Sequence, residues 1–136
     1  MPHHHLRASG ATCHWGFFDA TLKPVLTIES GDTVTVDTVT GGPEMHPKAD
    51  LGFFTPPEHA DVIAHAPKSL PGHILTGPIA LRGARPGHVI EVRIQDVKLR
   101  QNWGYNFIRP LAGTLQDDFH EFRLMHIPLD ADTQQA

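Results

Sequence analysis

The sequence predicts a mainly β fold: a hairpin-rich sheet or barrel-like sandwich with one short helix, forming part of a larger β-rich fold. Two stretches of the chain alternate apolar and polar residues with a period of two, which is typical of half-buried strands. A Gly-containing turn interrupts each of these stretches. The 12 glycines and 12 prolines among 136 residues also favour turns and short strands over long helices.

The first alternating stretch covers residues 24–39 and predicts two strands. Apolar and polar residues alternate over 26–29 and again over 33–37. Ser30-Gly31-Asp32 separates the two runs, and glycine adopts the positive φ that such turns need. We therefore expect a hairpin that turns at these three residues.

The second stretch covers residues 78–97 and repeats this pattern. Ile79 and Leu81 predict a short strand, and residues 83–88 contain Pro-Gly and predict a turn. Over 90–95, isoleucine and valine alternate with charged and polar residues, which indicates another strand. We expect a second hairpin that turns at Pro86-Gly87-His88.

One helix is predicted between these stretches, and one more strand after them. Thr55 and Glu58 have the spacing of a capping box with prolines between them, which predicts a helix over 56–65. Residues 120–129 are consistent with a strand. We therefore assign residues 1–129 to one β-rich domain and interpret 130–136 as a polar tail or a truncation point.

Composition disfavours several classes of partner. The net charge is −4 and basic residues form no cluster, whereas nucleic acids and anionic membranes require one. No apolar run approaches the about 20 residues that cross a bilayer. Cys13 is the only cysteine, so no internal disulfide forms, and we expect a cytoplasmic protein. His3–His5 are interpreted as native residues rather than part of a purification tag.

Three motifs are candidates for chemistry. His14 begins an aromatic run over 14–19, where desolvation could shift the pKa of a base or metal ligand; the alternative is an aromatic cluster that seals the sheet. His73 begins a polar loop over 73–78, which is either a binding loop or a turn that enters a strand. Glu44 lies two residues before His46, so both could reach one metal or substrate, or both could be solvated loop residues.

Taken together, these motifs resemble the acetamidase/formamidase family. The matching pieces keep the family's order and approximate spacing over about residues 3–111. They are His14-Trp15-Gly16-Phe17-Phe18-Asp19, Pro24-Val25-Leu26-Thr27-Ile28, Ser30-Gly31-Asp32-Thr33-Val34, His73-Ile74-Leu75-Thr76-Gly77-Pro78-Ile79, Gly83-Ala84-Arg85-Pro86-Gly87 and Trp103-Gly104. The second turn departs from the family pattern, because Arg85 and His88 stand where acidic residues are usual.

The resemblance implies a cytoplasmic, β-rich hydrolase of short aliphatic amides that releases ammonia and a carboxylate. It also implies a divalent metal, zinc or calcium, and a homo-oligomer or a missing C-terminal half as partner. The family's Gly-Gly-Asn and Gly-Asp-Gly-Glu motifs do not occur here, so the alternative is a non-catalytic β-domain for binding or assembly. As catalytic residues we expect His14, Glu44 and His73, and as metal ligands we expect His14, Asp32 and His73.

Overall fold

The computed structural model describes residues 2–133 and 135–136 and confirms a mainly β fold. The described residues form two compact units. Unit 1 contains the chain up to Gly42 and Pro57–Gln95, and unit 2 contains Pro43–Pro56 and the chain from Asp96 onward. The strands are β1 (His3–Leu6), β2 (Cys13–Trp15), β3 (Leu26–Ile28), β4 (Thr33–Val36), β5 (Ile74–Thr76), β6 (Ile79–Leu81), β7 (Trp103–Ile108) and β8 (Arg123–Pro128).

The helical segments are few and short. Helix α1 covers Glu58–His65, and single 3-10 turns cover Pro43–Met45 and Ala49–Leu51. Within the described part of the chain, no helix has the length and apolarity needed to cross a membrane.

The N-terminal histidines are built into the fold as β1. This strand runs parallel to β4. His3 Nε2 lies 2.9 Å from Thr35 Oγ1, His4 Nε2 lies 2.9 Å from Asp32 Oδ2, and His5 Nε2 lies 3.0 Å from Asp37 Oδ1. Each of the three imidazoles thus contacts a polar side chain in or next to β4.

The predicted strands of the first stretch are confirmed, but their predicted pairing is wrong. β3 and β4 do not form a hairpin: β3 pairs with β6 in parallel, and β4 pairs with β1 in parallel. The period of two specifies which face of a strand is buried, not which strand lies beside it. The turn between β3 and β4 nevertheless forms, with Gly31 at φ 92°.

The second predicted hairpin is also wrong. β6 forms as expected, and Gly87 takes the positive φ of the turn, at 91°. The apolar alternation after it produces no strand, because residues 89–95 pair with no other segment that the structure describes. Their side chains are exposed instead of half-buried.

Helix α1 is confirmed and covers the core of unit 1. Val62 is fully buried and packs in one cluster with Trp15, Val39 and smaller apolar residues such as Ala8. The helix ends before Pro67, which disfavours helical geometry in the residue before it, and Ala66 has extended backbone. The expected capping box does not start the helix, since the N-cap is Pro57 rather than Thr55 and makes no side-chain cap.

Unit 2 is organised around the antiparallel pair β7–β8. β8 confirms the strand expected within 120–129. The two strands pair Trp103 with Pro128 at one end and Ile108 with Arg123 at the other. Trp103 is completely buried. Its indole N–H donates to the Phe54 carbonyl oxygen at 3.1 Å and to Thr55 Oγ1 at 3.2 Å.

Candidate functional site

The antiparallel pair β2–β5 brings two of the predicted site residues into neighbouring positions. Cys13 and Trp15 are buried toward the core, and Cys13 Sγ lies 3.5 Å from Thr76 Oγ1. Side chains alternate between faces along a strand, so His14 projects from the opposite face. This face carries the first histidine of the candidate site.

His14 is held by the aromatic segment that follows it. Its Nε2–H donates to the Phe17 carbonyl oxygen at 3.2 Å, and its ring meets the Phe17 ring edge-on with centroids 5.6 Å apart. The side chain is half-buried. In the neutral ring that donates from Nε2, the lone pair is on Nδ1, which is the atom a base or metal ligand would use.

His73 immediately precedes β5 and is exposed. Its carbonyl oxygen accepts the Gly16 N–H at 3.0 Å, while His14 lies opposite Leu75. The two histidines are therefore diagonal across the ladder, where Cβ atoms in regular sheets are about 7–8 Å apart. That separation allows both rings to approach one small substrate.

The backbone at Gly16 allows this arrangement. Gly16 has φ 86°, and a Cβ built there would lie 2.5 Å from the Leu70 carbonyl oxygen. Only glycine permits the segment 68–73 to pass so close to the end of β2. The close approach therefore determines where His73 lies relative to His14.

Asp32 lies in the turn before β4, and its carboxylate is already engaged. Oδ2 accepts the Glu29 N–H at 3.0 Å and lies 2.9 Å from His4 Nε2. The backbone hydrogen bond from Glu29, followed by the hydrogen bond from His4, lowers the Asp32 pKa from its ordinary 3.8. These contacts connect the turn to β1 and give Asp32 a structural role.

This engagement of Asp32 predicts a pH dependence of folding. Because its folded pKa is depressed, Asp32 contributes stability above its unfolded pKa and loses this contribution as pH falls through the folded value. Asp32→Asn should lower the urea midpoint at neutral pH, and its difference from the wild type should shrink below about pH 3.8. His4→Ala, which keeps the larger contribution from Glu29, should produce a smaller loss. A constant difference across the acid range would contradict this account.

Glu44 is placed in a different unit from the two histidines. It is an exposed residue of the 3-10 turn Pro43–Met45 in unit 2. Its neighbour Met45 is buried, and the Met45 carbonyl oxygen accepts the His126 Nε2–H at 2.8 Å. The structure thus gives this turn a packing function and leaves the proposed catalytic role of Glu44 a prediction.

The described residues do not assemble a metal site by themselves. Nowhere in the described chain do three His, Cys, Asp or Glu side chains come together as a ligand set, whereas catalytic zinc sites use three protein ligands. His14 and His73 are two candidate ligands on one strand pair, and Asp32 is committed to its turn. The predicted zinc or calcium therefore requires ligands in addition to this pair.

Unit 2 contains an imidazole–aromatic cluster that the motifs did not reveal. His46 and His126 both meet Trp103 edge-on, each with centroids 5.7 Å away. His126 and Trp103 are far apart in sequence and meet through the β7–β8 pairing. The Trp103 indole N–H and the His126 Nε2–H both donate to backbone carbonyl oxygens, so we interpret the cluster as a packing feature.

A separate open cavity of about 460 Å³ lies between the end of β7 and residues 112–119.

Comparison with known proteins identifies the family. The model of the acetamidase/formamidase family matches residues 8–135. A Schizosaccharomyces pombe protein named "Putative formamidase C869.04" is 40% identical over 52 residues, which cover 35% of this chain and 13% of that relative. No solved structure gives a significant match. Because the family model spans nearly all of the sequence, the chain belongs to the acetamidase/formamidase family.

Proposed function

We propose that this chain forms part of a cytoplasmic hydrolase of short aliphatic amides, of the formamide and acetamide type, that releases ammonia and a carboxylate. The family match over residues 8–135 carries this proposal. The arrangement of His14 and His73 at one end of β2–β5 supports it. The curated relative is far longer than the matched segment, so we propose that the chain holds only part of the catalytic groups.

The two imidazoles have complementary environments for amide hydrolysis. The reaction needs a base to activate water, stabilisation of the tetrahedral oxyanion and a proton for the leaving amine. His14 is half-buried and oriented by the Phe17 carbonyl, which suits it to accept a proton at Nδ1. His73 is exposed, which suits it to meet the substrate and donate a proton. Oxyanion stabilisation is then left to groups outside this pair.

A divalent metal would polarise the amide carbonyl and acidify bound water. His14 and His73 would supply imidazole ligands, but two are too few for a catalytic site. A second copy or a C-terminal half of the fold would have to complete the set. We therefore assign no reaction step to the metal in this chain.

A non-catalytic role in binding or assembly is the second candidate. Two observations favour it: Asp32 is used to hold the β3–β4 turn, and a long apolar segment after β6 is exposed without a partner strand among the described residues. A scaffold with these features can recognise another chain without performing chemistry. Turnover distinguishes it from the hydrolase.

We predict that the purified chain binds divalent metal weakly and has at most trace amidase activity. Ammonia release from formamide and acetamide, measured with and without zinc or calcium, tests turnover, and calorimetry measures metal affinity. His14→Ala and His73→Ala should each lower the metal affinity about tenfold or more without unfolding the domain, because each removes an imidazole ligand and loss of a ligand's outer-shell partner alone costs about 10–100-fold. His88→Ala, in an exposed turn, is the matched control and should leave affinity unchanged.

Two outcomes would contradict this prediction. Robust formamide hydrolysis that His14→Ala abolishes would show that this chain holds the whole active site. Metal affinity that neither histidine variant changes would remove the pair from the ligand set. Circular dichroism of each variant separates loss of a ligand from loss of the fold.

A further inference from the structure

The segment Val89–Gln95 in unit 1 has the form of a strand without a partner. Val89, Val92 and Ile94 are 96%, 81% and 82% exposed. The chain runs through the segment without a turn or bend, and its backbone makes no hydrogen bond to the described residues. Arg93 Nε donates to Glu91 Oε1 at 2.6 Å, so these two side chains lie on the same side of the segment.

The two strand–turn segments of unit 1 place Val89–Gln95 at the position that the paired strand β4 has in the first of them. β3, a turn and β4 in the first repeat correspond to β6, a turn and the segment Val89–Gln95 in the second, and the repeats pair through β3 and β6. Gly31 and Gly87 occupy the two turns with φ 92° and 91°. β4 pairs with β1, whereas its counterpart has no such strand in the described chain.

We propose that Val89–Gln95 pairs antiparallel with the same segment of a second copy of this chain, centred on Val92. In this register Glu91 faces the partner's Arg93, and Arg93 faces the partner's Glu91. On the other face Ile90 lies opposite the partner's Ile94, and the two Val92 side chains meet. Opposite charges and β-branched residues facing each other across strands both stabilise a sheet.

The charges select this register over its neighbours. Centring the pair on Glu91 places two carboxylates opposite each other, and centring it on Arg93 does the same for two guanidinium groups. In-register parallel pairing also aligns like charges. A shift by a single residue places apolar side chains opposite charged ones. The segment is thus self-complementary in one antiparallel register.

The resulting contact is isologous and closes as a two-fold dimer. It is small, since seven residues from each copy contribute, so we expect weak, concentration-dependent association. The inference concerns assembly and does not depend on amide hydrolysis. Failure of the amidase proposal therefore leaves it unaffected.

A charge swap tests the register. Sedimentation of the wild type over about a hundredfold concentration range should show a monomer–dimer equilibrium. Glu91→Arg and Arg93→Glu should each weaken self-association about tenfold or more, since two facing pairs become repulsive in each dimer. Mixing the two variants should restore dimers between them, and the double variant Glu91→Arg/Arg93→Glu should restore the homodimer.

The controls exclude trivial explanations. Lys98→Glu makes the same charge change as Arg93→Glu at an exposed residue outside the register, and should leave dimerisation unchanged. Both charge-swap sites are exposed, and circular dichroism verifies that the variants fold. A wild type that stays monomeric over the whole concentration range would overturn the proposal. The same holds if the wild type binds a separately supplied C-terminal half of the fold but not a second copy of itself. The proposal would also be overturned if the single charge variants self-associate as strongly as the wild type, or if mixing the two variants does not restore dimers.

Discussion

Replacing Trp103 by alanine should destabilise unit 2 by about 3–5 kcal/mol, the usual cost of truncating a fully buried tryptophan. The indole is completely buried at the start of β7. Its N–H holds the Phe54–Thr55 segment, and its ring contacts His46 and His126. The loss is comparable with the whole free energy of unfolding of a small domain. The urea concentration at which unit 2 unfolds should therefore be far lower than in the wild type.

The chain offers a separate optical probe for each unit. Tyr105, the only tyrosine, lies on β7, and after the substitution Trp15 on β2 is the only tryptophan. Urea unfolding followed by tyrosine signals should show the large loss, while Trp15 fluorescence should show a smaller one. Trp103→Phe keeps an aromatic ring but not the N–H, and should lose about 1–2 kcal/mol. Equal effects of alanine and phenylalanine would contradict a packing role for the indole.

Local features of the fold could be predicted because local sequence determines them. The alternation around Leu26–Ile28 and Thr33–Val36 located two strands, and Pro56-Pro57 between Thr55 and Glu58 located α1. Gly31 and Gly87 located two turns, since both need positive φ. These signals extend over a few residues and act within one element.

Strand pairing could not be predicted because it depends on distant segments. Nothing in residues 24–39 indicates that β3 pairs with β6, more than fifty residues later, or that β4 pairs with a strand of histidines. β1 itself carries no apolar alternation, and its imidazoles find partners only once β4 lies beside it. An apolar alternation alone also did not ensure a strand at Val89–Gln95.

The candidate site also combines features that local sequence revealed with features that depend on contacts between distant segments. The motifs that begin at His14 and His73 were recognised separately, and the β2–β5 pairing brings them together. A carboxylate in a Ser-Gly-Asp turn can also cap its own turn, as Asp32 does here, so its role as a metal ligand stays a prediction. His126 shows no motif, because its neighbours Trp103 and Met45 come from distant segments.

The close approach at Gly16 links the fold to the site and predicts a large effect of one methyl group. Gly16→Ala adds a Cβ that would lie 2.5 Å from the Leu70 carbonyl oxygen, at a residue with φ 86°. Strained backbone costs about 1–3 kcal/mol, and an overpacked contact costs about 1–3 kcal/mol more. We therefore expect a loss of at least about 2 kcal/mol in the free energy of unfolding, measured with urea through the fluorescence of Trp15.

Gly87→Ala is the matched control, because it separates backbone strain from the close approach. Gly87 has nearly the same φ, 91°, but a Cβ there meets nothing within 4 Å, so this variant should lose only the strain contribution, about 1 kcal/mol. The difference between the two variants measures the contact with Leu70. Because the Gly16 N–H binds the His73 carbonyl oxygen, relief of the clash should displace His73 from His14, and metal affinity should fall together with stability in Gly16→Ala alone. Equal stability losses in the two variants would show that segment 68–73 moves aside freely and that the close approach does not position the two histidines.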